Sequence, residues 1–315
     1  MAEKKYTPMM QHYLKMKEEN PDSILFYRLG DFYEMFFEDA KLVSQELDLV
    51  LTGRSAGVEE KVPMCGIPFH AANSYIQRLV KKGYKVAICE QLEDPSSAKG
   101  LVDRGIIKII TPGTYMDATM DAKSTNYMAS CDVSSFEITV IYCELSTGEL
   151  KYQTLQRSLV ALQKALLEQN VSELVCPMTM DKKWMAALEE MDTMLISKHK
   201  KANIDSEDLP LLNGIESESL KEAFALLMAY LKDTQKQRID HFLPIESMDK
   251  DKVLVMDYET KNHLELVSSQ SSNAKAESLW SFMDKCQSAM GSRMLKRWIE
   301  YPLIDAEKIA KRQAA

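Results

Sequence analysis

Residues Gly30–Phe37 read GDFYEMFF, and the conformation of this stretch determines how the first domain is built. Four of these residues are aromatic, and a glycine that can bend the chain precedes them. In a strand, alternate side chains point to opposite faces, so Phe32, Glu34 and Phe36 would share one face. In a helix, Phe32 and Glu34 would point in nearly opposite directions. Only the extended conformation therefore places an apolar ring beside a hydrogen-bond acceptor.

Two interpretations of this stretch follow. In the first, it is an ordinary core segment with one solvated glutamate. In the second, Phe32 and Glu34 face outward as a pair that contacts a nucleic acid. Three other side chains would then anchor the strand from behind: Tyr33, Met35 and Phe37. By parity Phe36 lies on the face of the pair, so it either supports Phe32 or turns inward as the strand ends.

Outward from this stretch, the sequence predicts a compact mixed α/β domain over residues 1–114. Apolar periodicity predicts helices at about 8–19, 38–48 and 71–82. Alternation and β-branched residues predict strands at 23–28, 49–52, 84–91 and 105–110. Pro63 and Pro68 bracket a segment that we expect to be rigid and extended, with little freedom to pair as a central strand.

Residues 115–125 are polar and aperiodic and are interpreted as a linker. Residues 126–250 begin with three predicted strands, 127–133, 136–145 and 149–155, joined by tight turns. Helices at 157–169, 182–190 and 218–236 then alternate with short strands at 173–176 and 193–197. This order resembles a ribonuclease-H-like domain. Residues 251–315, helical from about 277 to 300, are expected to be the truncated beginning of a helical domain, and the chain a fragment of a longer protein.

Composition limits the classes of function that the chain can have. The chain has 315 residues, 45% of them hydrophobic, and a net charge of −8. Residues 1–112 hold 15 basic and 16 acidic side chains, so any DNA contact must use local basic clusters. Six cysteines without a C-x-x-C pair and only five histidines make a zinc site or histidine-based catalysis a weak prediction. Without a signal peptide or apolar spanning segment, we expect a cytoplasmic protein.

Several segments together resemble one family, the MutS proteins that recognise DNA mismatches in bacteria. The matching segments are FYRLGDFYEMFFEDA (26–40), VPMCGIPFHAANSYIQRLVKKGYKVAICEQLEDP (62–95), IITPGT (109–114), LVMDYETKNHLEL (254–266) and MGSRMLKRWIEYPL (290–303). They occur in the family's order along the whole chain, most clearly in residues 1–114 and beyond 253.

The resemblance implies a domain order: a mismatch-binding domain (1–114), a ribonuclease-H-like connector (126–250) and the start of a helical core or lever domain (251–315). It implies mismatched double-stranded DNA and MutL as partners, a homodimer, and a cytoplasmic, nucleoid-associated location. ATP and Mg²⁺ are implied for the full-length protein. No G-x-x-x-x-G-K-[ST] phosphate loop occurs in these 315 residues, so we expect no cofactor and no catalysis here.

Carried onto this sequence, the family's Phe-x-Glu motif falls on Phe32 and Glu34. The resemblance implies that the Phe32 ring inserts beside a mispaired base and kinks the duplex, where insertion costs less than in a sound duplex. Glu34 would accept a hydrogen bond from a base edge as a carboxylate, or donate one if protonated. Five more residues are candidates for backbone or groove contacts: Met64, Pro63, Arg54, Arg78 and Lys99.

Two alternatives belong to other functional classes. Asp132 and Glu144 fall on the first strands of the second domain, where a ribonuclease-H nuclease keeps its metal-binding carboxylates. Two carboxylates are too few for a two-metal site, so surface or turn roles are the simpler interpretation. In the other alternative, residues 114–250 dock a repair partner and the chain has no DNA activity of its own.

Overall fold

The structure is a computed structural model that describes residues 6–93, 102–116, 125–237, 239–248, 253–254, 256–269 and 278–314. The described residues divide into two compact units, one drawn from 1–115 and 228–240 and the other from 116–227 and 241–315. Each unit contains a six-stranded mixed sheet with helices packed against it. In the part of the chain that the structure describes, no helix is long and apolar enough to cross a membrane.

The sheet of the first unit has the strand order β3-β4-β2-β1-β5-β6. Strands β1 and β5 are parallel, and the other neighbours are antiparallel. The elements are α1 (Pro8–Glu19), β1 (Ser23–Leu29), β2 (Phe32–Phe36), α2 (Phe37–Leu47), β3 (Thr52–Arg54), β4 (Val62–Pro68), α3 (Ala72–Lys81), β5 (Lys85–Gln91) and β6 (Arg104–Ile110). The extended conformation predicted for residues 32–34 is confirmed.

Helices cover both faces of this sheet. Helix α1 packs its Met10 and Tyr13 into an apolar cluster with Tyr27 and Phe36 from the sheet. Helix α2 lies on the opposite face, where the thiol of Cys65 donates to the carbonyl oxygen of Ala40 at 3.5 Å. Helix α3 packs against α2 and β5 on that side. Strand β2 is therefore an interior strand with apolar packing on both faces, open to solvent only near its start.

A buried carboxylate joins α1, β1 and α2. Asp39, 7% exposed, accepts hydrogen bonds from Lys17 Nζ at 2.9 Å and from the backbone N–H of Leu25 at 2.9 Å. The hydroxyl of Tyr13 lies 3.4 Å from the same carboxylate and also receives the N–H of Phe36 at 3.2 Å. Burial, and then the nearby Asp39 charge, raise the pKa of Tyr13 far above its usual value. The single side chain of Asp39 thus links α1, β1 and α2.

The second unit has the strand order β11-β10-β7-β8-β9-β12. Strands β7, β8 and β9 form an antiparallel meander, and β10 is parallel to both β7 and β11. The elements are β7 (Tyr127–Val133), β8 (Glu137–Glu144), β9 (Glu149–Gln156), α4 (Leu159–Glu168), β10 (Val171–Pro177), α5 (Lys182–Glu189), β11 (Leu195–His199), α6 (Glu218–Gln235), β12 (Glu246–Ser247), α7 (Tyr258–His263), α8 (Leu279–Met283), α9 (Ala289–Glu300) and α10 (Ala306–Gln313). The predicted three strands followed by alternating helices and strands are confirmed.

Two predictions about segments of the chain are wrong. The segment bracketed by prolines is extended, as predicted, but it is the interior strand β4, paired with β2 and β3. Pro63 is its second residue and Pro68 its last, so the missing N–H groups fall near the strand ends. The helix expected over 277–300 is two helices, α8 and α9. Asp284 is extended at the end of α8, and Ser288 caps the start of α9 by accepting from the Gly291 N–H.

The prediction that Phe37 anchors β2 from the α2 face is also wrong. Phe37 has a φ of +55°, which turns the chain out of strand geometry at the start of α2. Its ring therefore packs on the α1 side, edge-on to Tyr6 at 5.9 Å and beside Tyr13 at 6.3 Å. Strict alternation along the sequence could not show this, because alternation ends where the backbone leaves the β region.

We expect Asp39→Ala to destabilise the first unit by about 2–3 kcal/mol, because it leaves the buried N–H of Leu25 without its acceptor and takes one of two acceptors from Lys17 Nζ and from the Tyr13 hydroxyl. Hydrogen exchange of peptides covering β1 and β2 is the measurement, since all three tryptophans lie at positions 184, 280 and 298 and fluorescence would report on the other unit. The amide of Leu25 should lose most protection.

The neighbouring substitution Glu38→Ala is the matched control. The Glu38 side chain is exposed and, among the described residues, pairs only with Lys41 on the same helix, so its removal should change stability by less than about 0.5 kcal/mol. Equal exchange protection in the two variants would show that the Asp39 hydrogen bonds do not hold these elements together.

Candidate nucleic-acid interface

A two-residue turn presents the ring of Phe32. Leu29 pairs with Phe32 across the β1–β2 hairpin, and Gly30 and Asp31 form the loop. Gly30 has a φ of +57°, the left-handed conformation that such hairpin loops require and that a glycine adopts without strain. The Asp31 carbonyl accepts the N–H of Phe69 at 2.9 Å, so the loop is tied to the end of β4. Phe32 stands at this tip and is 47% exposed.

Arg28 braces the hairpin from the α2 face. Its Nε donates to the Gly30 carbonyl oxygen, and its Nη1 lies 3.3 Å from Glu90 on β5. Its guanidinium stacks 3.7 Å above the centroid of the Phe69 ring. The hydroxyl of Tyr33 also donates to Glu90, and burial followed by this contact raises the pKa of Tyr33. The loop that carries Phe32 is thereby fixed to two other strands.

Glu34 lies on the same sheet face as Phe32, two residues further along β2. Its register partner is Gly66, where an added Cβ would lie 3.5 Å from Glu34 Cγ, so the side chain packs over the glycine backbone. Arg54 Nη1 donates to Glu34 Oε2 in an ion pair. The predicted hydrogen-bond acceptor is therefore engaged by a cation.

Phe36, which parity places on this face, is the residue whose position the sequence left open. It is 1% exposed and packs edge-on against Tyr13 of α1 at 4.9 Å. Helix α1 thus covers the end of β2 and leaves its beginning open. Phe36 supports the strand from beneath α1 and takes no part in the exposed surface around Phe32.

The structure places the candidate backbone and groove residues in different surroundings. Arg54 and Met64 lie on the Phe32 face, with Met64 packed against the α1 cluster. Pro63 alternates to the other face of β4. Arg78 is on α3, where its Nη2 lies 3.9 Å from Asp48, and it is not brought together with Phe32 and Glu34. Lys99 lies outside the described residues.

Two residues at this site were missed by the sequence analysis. Phe69 is 41% exposed and, with Phe32, is one of two largely exposed aromatic side chains among the described residues of the first unit. Arg28 is the cation that covers it. The signal was present in the sequence, because Phe69 directly follows Pro68 at the end of an apolar segment, but its pairing with the Asp31 loop is a long-range contact.

The two carboxylates of the nuclease alternative lie far apart. Asp132 pairs with Thr139 and Glu144 with Tyr127, so they are separated by five residues along β7 (127 to 132), roughly 16 Å at about 3.3 Å per residue. Asp132 accepts from Lys201 and Ser219, each at 3.0 Å. Glu144 is buried and accepts the Thr147 N–H at 3.1 Å. Each carboxylate has its own structural partners, and the two cannot share one ion.

A metal-binding cluster is not found elsewhere in the described ranges, where no three His, Cys, Asp or Glu side chains converge. The cysteines at 65, 89, 131, 143 and 176 are buried free thiols. Burial raises the pKa of Cys65 to about 11 and that of Cys89 to about 12. These thiols are therefore core residues and do not form a site. The open face around Phe32 and Glu34 is the strongest candidate for a binding site.

Comparison with known proteins shows which family the chain resembles. Residues 7–119 match the family model MutS domain I, and residues 259–315 match MutS domain III. The chain is 43% identical over 313 residues to the DNA mismatch repair protein MutS of Bacillus licheniformis, covering 98% of this chain and 35% of that protein. It is 42% identical over 319 residues to that of Clostridium tetani, covering 98% and 36%.

The MutS protein of Bacillus subtilis is likewise 42% identical over 310 residues, covering 98% of this chain and 36% of its own length. The chain thus spans about a third of the length of the curated relatives it matches. With two MutS domain models matched in order and this identity along nearly its whole length, the chain belongs to the MutS family.

Proposed function

We propose that this chain recognises mismatched and unpaired bases in duplex DNA, with Phe32 as the inserting ring and Glu34 as the hydrogen-bonding partner of the base. The observation that carries the proposal is the exposure of the Phe32 ring at a braced hairpin tip, beside Glu34 on the same sheet face. An apolar ring held in water at a rigid tip gains most from a stacking partner.

The energetics favour defective over intact duplexes. A mispaired base is already poorly stacked, so separating it from its neighbour costs less than it does in a sound duplex. A base that stacks on an aromatic side chain contributes about 1–3 kcal/mol. The Phe32 ring therefore reads how easily the duplex deforms, and a kink at the mismatch is the expected geometry.

Charge limits what this site does alone. The first unit is nearly neutral, so phosphate attraction adds little to affinity, and most non-specific affinity would come from other parts of a longer polypeptide. Because this unit alone attracts DNA weakly, we also propose that the complete protein is a homodimer, in which two chains could close around one duplex. A cytoplasmic, nucleoid-associated location follows from DNA as the ligand.

The second unit is proposed to be a ribonuclease-H-like connector that transmits the state of the DNA site and offers a surface to MutL. ATP and Mg²⁺ have no place in the mechanism of these residues, because they contain no phosphate loop of the Walker type. Both belong to other parts of the complete protein under this proposal. The nuclease alternative is not favoured, since Asp132 and Glu144 lie at opposite ends of the antiparallel pair formed by β7 and β8.

Phe32→Ala should abolish most of the preference for a G·T mismatch or a single-base loop over matched duplex, about a 10-fold to 100-fold loss of mismatch affinity for a stack of this size. Competition gel shifts with the complete native polypeptide that carries this sequence give the ratio directly. Phe136→Ala, which removes a 90% exposed ring on the second unit, is the matched control and should leave the ratio unchanged.

An unchanged mismatch preference in Phe32→Ala would contradict the wedge assignment. Weak DNA binding by the wild type, without any mismatch preference, would instead favour the partner-docking alternative for this part of the chain.

Glu34→Ala should leave or raise affinity for matched duplex and lower discrimination, because it makes the site more positive toward phosphates while deleting the contact to the base. Fluorescence anisotropy titrations with matched and mismatched duplexes at one salt concentration measure both quantities. An equal loss on both duplexes would show that Glu34 has a structural role only.

A further inference from the structure

The ion pair between Arg54 and Glu34 is the feature of this site that the proposed function does not explain. Arg54 ends the edge strand β3, and Glu34 lies on β2, with β4 between them. The guanidinium carbon of Arg54 lies 6.0 Å from the centroid of the Phe36 ring. The Arg54 side chain therefore extends across β4 on the sheet face that carries Phe32, past Phe36, to reach the carboxylate.

The ion pair uses only one oxygen of the Glu34 carboxylate. Arg54 contacts one oxygen of Glu34, Oε2, and Oε1 accepts no hydrogen bond from the described residues. The Glu34 side chain is 16% exposed and that of Arg54 is 36% exposed, so the glutamate is mostly buried while the arginine remains in contact with solvent. Packing over Gly66 restricts the Glu34 side chain further.

We propose that Arg54 is the positioning residue of mismatch recognition: it neutralises Glu34 and orients its free Oε1 toward the base. This inference rests on the proposed function. A carboxylate brought among phosphates is repelled, and an adjacent guanidinium offsets that repulsion without occupying the oxygen that meets the base. Arg54 then acts through Glu34, whereas a phosphate-binding arginine would act independently of it.

A double-mutant cycle separates these two roles. Arg54→Met alone should weaken mismatch binding by about tenfold, because it leaves a charged carboxylate without its cation. In a Glu34→Gln background, the same substitution should cost less than about threefold, because a neutral amide needs no neutralising partner. The complete native polypeptide is titrated with a G·T duplex and its matched counterpart at several salt concentrations.

Additive effects of the two substitutions would overturn the inference. So would a salt slope that falls by about one unit on Arg54→Met in both backgrounds, which is the signature of a lost phosphate contact. The exposed Lys41–Glu38 pair on α2 supplies the matched control cycle, Lys41→Met with Glu38→Gln, which should show no coupling in DNA binding.

Arg54→Lys guards against loss of the fold at β3, since it retains the charge and the aliphatic stem. We expect it to recover mismatch affinity to within about threefold of the wild type, with hydrogen-exchange protection of β3 and β4 unchanged. A lysine variant that binds the mismatch as weakly as Arg54→Met, with β3 and β4 still protected, would overturn the role of charge neutralisation.

The same titrations separate this inference from the proposed function. A wild type without mismatch preference overturns both, whereas a normal preference with additive substitutions overturns this inference alone.

Discussion

The first unit depends on one buried carboxylate. Asp39 holds the ammonium of Lys17 and the backbone of Leu25, and Tyr13 links the same group to Phe36. A buried charge is tolerated only when it is paired and hydrogen-bonded, and here the partners come from α1 and β1. The carboxylate therefore works as a positional constraint: α1 can cover the sheet in one place only, over the end of β2. The beginning of β2 stays open as a result.

The chemical properties of the site depend on this open beginning of β2. Rigid parts surround an exposed ring: the Gly30 turn, the Arg28 brace and the tie between Asp31 and Phe69. Binding to a preorganised tip avoids the entropy cost of ordering a loop. Next to the ring, a charged pair supplies an acceptor without a net negative charge. The site thus combines an apolar element that senses stacking with a polar element that is electrically neutral toward DNA.

Much of this arrangement could be predicted from the sequence. The two faces of β2 followed from alternation, and most helices and strands followed from periodicity. The failures share a physical cause: they occur where a local rule meets a long-range contact or a change of backbone region. Phe37 broke the alternation through its positive φ, and β4 paired as an interior strand despite Pro63 and Pro68. The Arg54–Glu34 pair joins residues from different strands, and no spacing in the sequence reveals it.

The positive φ at Phe37 has a consequence for how this segment can change over evolution. Strand β2 is five residues long and is bounded at one end by a two-residue turn and at the other by a bulky residue in a left-handed conformation. Neither boundary can slide, because each requires a particular residue geometry. Inserting or deleting one residue between them would rotate Phe32 to the opposite face, beneath α2. Substitutions can accumulate in this strand, but its length cannot drift, so insertions and deletions in relatives should fall outside the segment from Gly30 to Phe37.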